Sequence, residues 1–377
     1  MPGPERIEVT FNSGARTRCV IESGALERLP ELCAEVGLSG TAGFLCDARL
    51  VFAQGPLVKA LGDRFGGVLA RPVSEKHKSL AEVEAMCETL NARGVMRDGF
   101  VVALGGGVLT DLAGLAAALH LRGVPWVSGP TTLLAQVDAG LGGKTGANLR
   151  AGKNLVGAFH QPTLVVCDPR VLKTLPERER WSGLAEVVKC ALLAPQQDAL
   201  GEALLTRCER DLEAAARGDE AALSGLIFGA VKLKATVVSG DEREGDGPLA
   251  PGQLPRAALN LGHTVGHALE TATHYERFTH GEAVALGLRS AIELSRLRGH
   301  VHDSDAARMQ TLVRRLQVLA PNKLTPLERE AALVAMQKDK KARAGQVRFV
   351  LLNSSGGVVV ERVEAADCGR ALDAALD

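Results

Sequence analysis

The sequence predicts an α/β N-terminal domain with a parallel sheet, followed by a mainly α-helical domain. The chain has 377 residues, which is more than one hydrophobic core usually holds. Its first half alternates short apolar runs with helical patterns, as parallel strands joined by crossover helices do. From about residue 176 helical patterns dominate. We therefore place the boundary at the Leu175–Pro176 step and expect domains of residues 1–176 and 177–377.

The elements of the first domain follow from the spacing of its apolar residues. Runs rich in apolar and β-branched residues predict buried strands. These runs are 43–47, 67–71, 99–107 and 163–168, with a further short strand ending before Thr131. Apolar residues three and four positions apart predict helices. The helical segments are 52–61, 79–93 and 111–121.

The second domain has mainly helical spacing. The predicted helices are 177–194, 197–216, 219–239, 262–273, 280–298, 304–318, 326–338 and 364–375. A short extended pair, 346–352 and 356–362, precedes the last of them. The glycine- and proline-rich segment 245–255 predicts a flexible loop.

Composition excludes several classes of partner. Lys+Arg and Asp+Glu balance at 44 each, which argues against nucleic acid or an acidic membrane surface. No run approaches the roughly 18 apolar residues that span a bilayer, and the first residues do not resemble a signal peptide. The 8 cysteines are scattered without a CxxC motif. We therefore expect a cytoplasmic protein with reduced cysteines and only local anion binding.

A glycine-rich turn indicates a phosphate-binding site. Gly105, Gly106 and Gly107 follow a predicted buried strand and open a helix that carries Asp111. Glycines let a backbone approach a pyrophosphate, and a helix N-terminus offers free N–H donors. The motif is not GxGxxG, so a tight strand–helix turn without a ligand stays open. Thr131 and Thr132 follow another short strand and could donate hydroxyls to a phosphate or ribose.

A histidine cluster indicates a metal site. His263 and His267 share one helical face, and His280 opens the next predicted helix. Glu186 lies in an otherwise apolar helix, where burial of a carboxylate is costly unless it binds a cation. One carboxylate with two imidazoles is typical of a catalytic metal site. Spacing alone leaves His267 open as a ligand, a proton-transfer group or an anion-binding group.

The glycines beside the histidines and the nearby cations complete the pattern. Gly262 and Gly266 would let another element pack closely. Lysines and amides in glycine-rich or apolar segments fit a solvated surface poorly. Gathered around a metal, they imply a substrate with several negative charges, such as a phosphate plus a carboxylate. The cations and amides are Lys144, Lys153, Asn154, Lys189, Lys234, Arg256 and Asn260, and Asp138 lies in the same glycine-rich segment as the first three.

Over nearly its whole length the sequence resembles the 3-dehydroquinate synthase family, within the sugar-phosphate cyclases. The resemblance is carried by 105-GGGVLTDLAG-114, 121-LRGVPW-126, 130-PTTLLAQVDAGLGGKTGAN-148, 183-GLAEVVK-189, 256-RAALNLGHTVGHALE-270, 280-HGEAV-284 and 339-DKK-341. It implies a dinucleotide-binding first domain and a metal-binding second domain. It also implies Glu186, His263 and His280 as ligands of one divalent metal, zinc or alternatively cobalt, and places His267 beside the substrate's phosphate.

The same resemblance implies roles for the other polar residues. Substrate-pocket positions fall on Asp138, Lys144, Asn154, Lys189, Lys234, Arg256, Asn260 and either Lys340 or Lys341. Arg122 corresponds to a residue that reaches the phosphate from a partner subunit, which implies a homodimer. NAD contacts fall on Asp47, Glu75, Lys78, Gly106, Gly107, Val108, Asp111, Thr131, Thr132, Lys153 and Thr174. Two departures are Thr110, where the family usually has glycine, and a 245–255 loop longer than expected.

The implied reaction converts 3-deoxy-D-arabino-heptulosonate 7-phosphate to 3-dehydroquinate and phosphate in the shikimate pathway. It comprises transient oxidation by NAD, phosphate elimination, reduction, ring opening and aldol closure, with no net consumption of NAD. A sister cyclase forming an aminodehydroquinate, 2-deoxy-scyllo-inosose or a valiolone is one alternative. A metal-dependent polyol dehydrogenase is another, although it would not need so many cations. A non-enzymatic scaffold gives no reason for this combination of residues.

Overall fold

The computed structural model describes residues 5–194, 199–245, 249, 252–337, 347–354 and 357–376. The described chain forms two compact units. The first unit contains the residues up to Pro176 together with Gly218–Arg243. The second contains Glu177–Arg217 and the described residues from Glu244 onward.

Strands and helices alternate along the first unit, and helices dominate the second. The strands are β1 (Glu5–Thr10), β2 (Arg16–Ile21), β3 (Ala42–Asp47), β4 (Leu69–Arg71), β5 (Phe100–Gly105), β6 (Trp126–Pro130), β7 (Lys144–Leu149), β8 (Gly152–Phe159), β9 (Leu164–Cys167), β10 (Val347–Leu352) and β11 (Val358–Val363). The helices are α1 (Leu29–Glu35), α2 (Leu50–Ala53), α3 (Gly55–Arg64), α4 (Leu80–Ala92), α5 (Gly107–Leu119), α6 (Glu177–Leu193), α7 (Ala199–Ala216), α8 (Glu220–Gly240), α9 (His263–Ala272), α10 (His280–Leu297), α11 (Asp303–Arg314), α12 (Pro326–Gln337) and α13 (Ala365–Leu376).

A seven-stranded sheet organises the described part of the first unit, in the order β1-β2-β9-β6-β5-β3-β4. Its strands run parallel except β1, which pairs antiparallel with β2. Side chains alternate between its faces: Phe44 packs on the α1 and α3 side, whereas Leu45 packs on the α4 and α5 side. Burial on both faces explains the nearly continuous apolar runs. The predicted parallel α/β sheet is confirmed.

The glycine turn differs in detail from the prediction. The strand predicted over 99–107 ends at Gly105, and α5 begins at Gly107, earlier than the predicted 111. The connection from β3 leads to β4 on one side of the sheet, and the connection from β5 leads to β6 in the opposite direction. The two connections cover opposite faces of the sheet. Such a reversal, at the carboxyl ends of the strands, is where open α/β sheets bind ligands.

Helix α8 belongs to the first unit of the structure. The boundary predicted at Pro176 places the residues of α8 in the second domain instead. This helix packs against β1 and a π-helical turn at Ala135–Ala139. Helical periodicity shows that a segment is a helix but not which body it packs against. In the described residues, α8 is also the one helix long and apolar enough to cross a membrane, although 67% of that window is buried in the protein. A buried core helix passes the same test.

The second unit is built around the pair α9 and α10, which approach at backbone distance. A Cβ added to Gly287 would lie 1.9 Å from the carbonyl oxygen of Gly262, and one added to Gly266 would lie 3.1 Å from that of Ala283. Gly262 has a left-handed φ of 77° just before α9. The close packing predicted from Gly262 and Gly266 is confirmed. The antiparallel β10–β11 pair and α12 and α13 complete this core.

Candidate active site

Three helices of the second unit bring the predicted metal ligands together. Glu186 lies within α6, while His263 and His280 are the first residues of α9 and α10. One ligand atom from each lies within 4.8 Å of the other two. A capping box between Thr279 and Glu282 fixes the start of α10, and therefore the position of His280.

The two oxygens of Glu186 face different partners. Oε1 lies 3.6 Å from His263 Nε2 and 3.5 Å from His280 Nε2. Oε2 forms an ion pair with Lys189, whose Nζ also donates to the carbonyl oxygen of Leu259 at 2.7 Å. The Glu186 side chain is only 1% exposed, so this ammonium stabilises a charge that burial disfavours. Lys189 therefore orients the carboxylate with one oxygen toward the imidazoles.

The ring nitrogens of the two histidines are also differentiated. His263 Nδ1 lies 3.1 Å from the carbonyl oxygen of Leu261 and donates to it, which leaves the Nε2 lone pair facing Glu186. Burial and the charge of Lys189 lower the pKa of His263 to about 3, so this ring is neutral. Burial disfavours a charged His280, but its hydrogen bonds to Glu186 and Glu270 outweigh burial and raise its pKa to about 10.

A second acid, Glu270, lies in the same cluster, and the sequence reasoning missed it. His267, Glu270 and His280 form an overlapping group with ligand atoms within 4.8 Å of one another. The His267 ring centroid is 5.1 Å from that of His263 and 6.1 Å from that of His280. The signal was present in the sequence, because positions 263, 267 and 270 share one helical face.

The donor set fits a catalytic divalent metal. Two imidazole nitrogens and one carboxylate oxygen are the ligands of open zinc sites, which leave coordination positions for water or substrate. Cobalt takes the same nitrogen and oxygen donors. The buried Glu186 carboxylate, with two Nε2 atoms on one side, provides this set. His267 is exposed and stands beside it.

Two further predicted substrate residues lie in the second unit. Arg256 opens a short 3-10 turn, Arg256–Asn260, and is 3% exposed. Asn260 Nδ2 donates to Glu244 Oε1 at 3.2 Å. Lys340 and Lys341 lie outside the described residues, as does most of the segment 245–251.

In the first unit, several predicted NAD residues lie at the carboxyl ends of neighbouring strands. Asp47 ends β3, Gly106 follows β5, and Thr131 and Thr132 follow β6. The Thr131 N–H donates to the Gly105 carbonyl oxygen at 2.9 Å. A Cβ added to Gly106 would lie 3.1 Å from Thr132 Cγ2, so the Thr132 side chain lies beside this glycine. No side chain caps α5, whose first residues are Gly107 and Val108. Its N-terminal amides suit a pyrophosphate.

Lys78 lies at the centre of a second group of predicted NAD residues. Its Nζ forms an ion pair with Asp111 and donates to Asn154 Oδ1 at 2.6 Å. Burial raises the pKa of Asp111 to about 6, although the charge of Lys78 opposes this shift. Glu75 accepts from Asn148 Nδ2 at 2.7 Å and lies 3.8 Å from Lys153 Nζ. The structure therefore brings Glu75, Lys78, Asp111, Lys153 and Asn154 together around the β7–β8 hairpin.

Asn148 was not predicted as a site residue, although it organises this group. Its Oδ1 accepts from the Asn154 N–H at 2.9 Å, and its own N–H donates to the Lys78 carbonyl oxygen at 2.7 Å. Asn154 is held there with a left-handed φ of 52°. Asn148 ends the quoted 130–148 motif, which was the available signal.

The remaining predicted residues of the first unit are more dispersed. Lys234 of α8 pairs with the Asp138 carboxylate and donates to its carbonyl oxygen at 2.6 Å. Lys144 opens β7. Thr174 Oγ1 accepts from Gln54 Nε2 at 2.8 Å and donates to the Val171 carbonyl oxygen at 3.1 Å. Arg122 is exposed after α5, with a φ of 70°.

Comparison with known proteins is consistent with this arrangement. The sequence matches family models described as 3-dehydroquinate synthase N-terminal, over residues 68–182, and 3-dehydroquinate synthase C-terminal, over residues 183–342. A 3-dehydroquinate synthase of Opitutus terrae is 46% identical, covering 87% of this chain and 88% of its own. One of Geobacter metallireducens is 40% identical, covering 90% and 91%.

Solved structures of related cyclases share the fold. A 2-deoxy-scyllo-inosose synthase complexed with carbaglucose-6-phosphate, NAD+ and Co2+ has a TM-score of 0.83 at 24% identity, covering 98% of this chain and 99% of its own. A 2-epi-5-epi-valiolone synthase from Streptomyces hygroscopicus subsp. jinggangensis, with NAD+ and Zn2+ bound, has a TM-score of 0.75 at 27% identity, covering 100% and 99%.

Proposed function

The chain belongs to the 3-dehydroquinate synthase family, and we propose that Glu186, His263 and His280 hold the metal of its phosphate-eliminating reaction. The activity is the conversion of 3-deoxy-D-arabino-heptulosonate 7-phosphate to 3-dehydroquinate and phosphate. The observation that carries the proposal is the two-sided Glu186 carboxylate, with two Nε2 atoms at 3.5–3.6 Å on one side and Lys189 on the other.

We propose that the chain binds one divalent metal, with zinc favoured over cobalt, and one NAD. When bound, the metal would acidify the substrate hydroxyl that is oxidised, and NAD would accept a hydride from that carbon and later return it. His263 meets the metal as a neutral ring, because burial lowers its pKa to about 3. His267, exposed beside the centre, is assigned to the substrate's phosphate and not to the metal.

In the first unit, we propose that NAD lies at the carboxyl ends of the parallel strands β3 and β5, where the order of the strands in the sheet reverses. Gly106, Gly107 and Val108 offer backbone N–H donors at the N-terminus of α5. Asp47, Thr131 and Thr132 supply polar groups at the adjacent strand ends. The remaining proposed contacts are Glu75, Lys78, Asp111, Lys153 and Thr174. Of these, Thr174 ends the short 3-10 helix that follows β9, where it is bonded to Gln54.

The proposed substrate residues bind and orient two anionic groups. Phosphate contacts are proposed for Lys144, Asn154, Asn260, His267 and either Lys340 or Lys341, as the family resemblance implies. Carboxylate is assigned to Arg256, with Lys234 as a second cation. Asp138 orients Lys234, and Lys189 orients Glu186. Fixing both anions lowers the entropy cost of elimination and ring closure.

We propose a homodimer in which Arg122, whose side chain is exposed, contributes to the partner subunit's phosphate site. We propose a cytoplasmic enzyme acting on a small phosphorylated sugar acid. The balanced charge, 44 basic against 44 acidic residues, supports the absence of a nucleic-acid or membrane partner.

Phosphate release from the heptulosonate phosphate tests this function. We expect release that requires one bound divalent metal, is abolished by a chelator and restored by zinc or cobalt. NAD at one equivalent per chain should suffice, with no accumulation of NADH, because the hydride is returned to the substrate. Release that ignores both chelator and NAD would refute the proposal. NADH accumulation with glycerol would indicate a polyol dehydrogenase instead.

A sister cyclase of secondary metabolism is the second candidate, favoured by the fold shared with the inosose and valiolone synthases. The buried Arg256 argues for a substrate that carries a carboxylate. Comparing the heptulosonate phosphate with its amino analogue and with glucose 6-phosphate separates these activities. We expect turnover of the first and none of glucose 6-phosphate.

A further inference from the structure

We propose that Glu270 is a positioning residue for the metal centre, acting through His280. The His280 ring lies between two carboxylates, with Nε2 3.5 Å from Glu186 Oε1 and Nδ1 3.5 Å from Glu270 Oε2. The inference rests on the proposed metal centre and adds a residue outside its ligand set.

The geometry determines which nitrogen of His280 can bind a metal. If Nε2 gives its lone pair to the metal beside Glu186, the ring proton must reside on Nδ1. That N–H needs an acceptor, and Glu270 Oε2 lies 3.5 Å from Nδ1. The carboxylate thereby fixes the tautomer and plane of the ring, and its charge makes Nε2 a stronger donor.

The two histidine ligands are thus supported differently. His263 Nδ1 donates to a neutral acceptor, the Leu261 carbonyl oxygen, at 3.1 Å. His280 has instead a charged acceptor whose side chain is only 10% exposed. The difference matters because His280 opens α10 and is 27% exposed, whereas His263 is 11% exposed. The more exposed ring is the one held by a carboxylate.

Charge balance provides an independent reason for a second acid. Glu186 is already paired with the Lys189 ammonium. A divalent cation added to that pair would introduce two positive charges with no net negative charge among the ligands. Glu270 is 7% exposed and supplies one compensating negative charge within the same cluster. The metal centre therefore has two carboxylates, one as ligand and one behind a ligand.

Metal affinity measured by competition with a chromophoric chelator tests the role of Glu270. We expect Glu270→Gln to weaken zinc binding about 10- to 100-fold, as loss of a ligand-orienting group does. Glu270→Asp, which keeps the charge, should recover part of that affinity. Glu276→Gln is the matched control, because Glu276 is exposed a few residues away and should not change affinity.

A spectroscopic measurement on the native sequence covers the case in which Glu270→Gln does not fold. In the cobalt-loaded protein, we expect two paramagnetically shifted, solvent-exchangeable imidazole N–H protons, one for each Nδ1. The proton of His280 should exchange more rapidly with solvent in Glu270→Asp than in the wild type.

Zinc affinity in Glu270→Gln equal to the wild type, or no Nδ1 proton on a metal-bound His280, would overturn the inference. Failure of the wild-type chain to bind any divalent metal would instead refute the proposed function. Zinc binding that is weaker in Glu270→Gln than in Glu186→Gln would also overturn it, because Glu270 would then be a ligand.

Discussion

Glu186→Gln is expected to abolish stoichiometric metal binding and to lower kcat/KM by about 1,000-fold or more. Glutamine keeps the size of the side chain but removes the charge that faces His263 and His280. Metal-assisted charge stabilisation contributes several kcal/mol to a transition state, and about 4 kcal/mol corresponds to this factor. Metal content per chain and initial rates of phosphate release, measured on the same preparation, check both parts.

A second variant separates metal loss from damage to the fold. In Glu186→Gln the buried Lys189 ammonium loses the carboxylate with which it pairs, so the free energy of unfolding should also fall. The double variant Glu186→Gln/Lys189→Met should regain stability but not metal. Glu293→Gln, on a half-buried pair with Arg296 at the surface, is the control and should leave metal binding unchanged and stability nearly so. One metal per chain and near-normal turnover in Glu186→Gln would place the metal elsewhere.

Lys78→Met is expected to lower the free energy of unfolding by about 3 kcal/mol at pH 8, the scale for breaking a buried ion pair. Lys78 is 5% exposed and is paired with Asp111, whose side chain is 16% exposed. Methionine keeps most of the side-chain volume of lysine. The decrease in the free energy of unfolding therefore reflects mainly the Asp111 carboxylate that is left without its ion-pair partner. NAD affinity should fall as well, because Asp111 and Asn154 lose the group that holds them. Chemical denaturation and NAD titration measure the two effects.

The loss in Lys78→Met should be smaller at pH 5 than at pH 8. Burial already raises the pKa of Asp111 to about 6 in the folded chain, above its value in the unfolded chain. The folded state therefore binds more protons in this window, and the contribution of Asp111 to stability falls as pH rises. Without the opposing charge of Lys78, the folded pKa rises further and the penalty at pH 8 grows. At pH 5 the carboxyl is largely protonated and neutral.

Two comparisons make the Lys78 prediction specific. Lys78→Met/Asp111→Asn should recover much of the stability, because no buried carboxylate is left unpaired. Lys59→Met removes a lysine from an exposed pair with Asp63 and should change stability by less than about 0.5 kcal/mol. Equal losses for Lys78→Met and Lys59→Met, or a loss independent of pH, would contradict the account.

Most elements could be predicted because their apolar residues have regular spacing. The central strands β3 and β5 and the helices of the second unit have nearly the predicted bounds. The sequence reasoning did not find the edge strand β1 or its neighbour β2, both of which mix buried and exposed side chains. Nor did it find the β7–β8 hairpin, because glycines there conceal its strand propensity. A Cβ on Gly157 would lie 2.0 Å from the Thr145 carbonyl oxygen, which requires glycine.

The candidate site could be predicted only where its residues cluster along the chain. His263, His267 and His280 are close in sequence, and Glu186 stood out as an acid in an apolar helix. Glu270 shares a helical face with His263 and His267, so its spacing could have been recognised. Asn148 bonds instead to Glu75, which is 73 residues away. The placement of α8 depends likewise on tertiary packing. Such contacts have no local spacing rule.

Anomalous diffraction at the zinc absorption edge, on crystals of the zinc-loaded chain, tests the metal assignment most directly. The account predicts one peak about 2.0–2.2 Å from Glu186 Oε1, His263 Nε2 and His280 Nε2. His280 Nδ1 should remain directed at Glu270. A peak bound instead by His267 and Glu270, or no peak at Glu186, would contradict it.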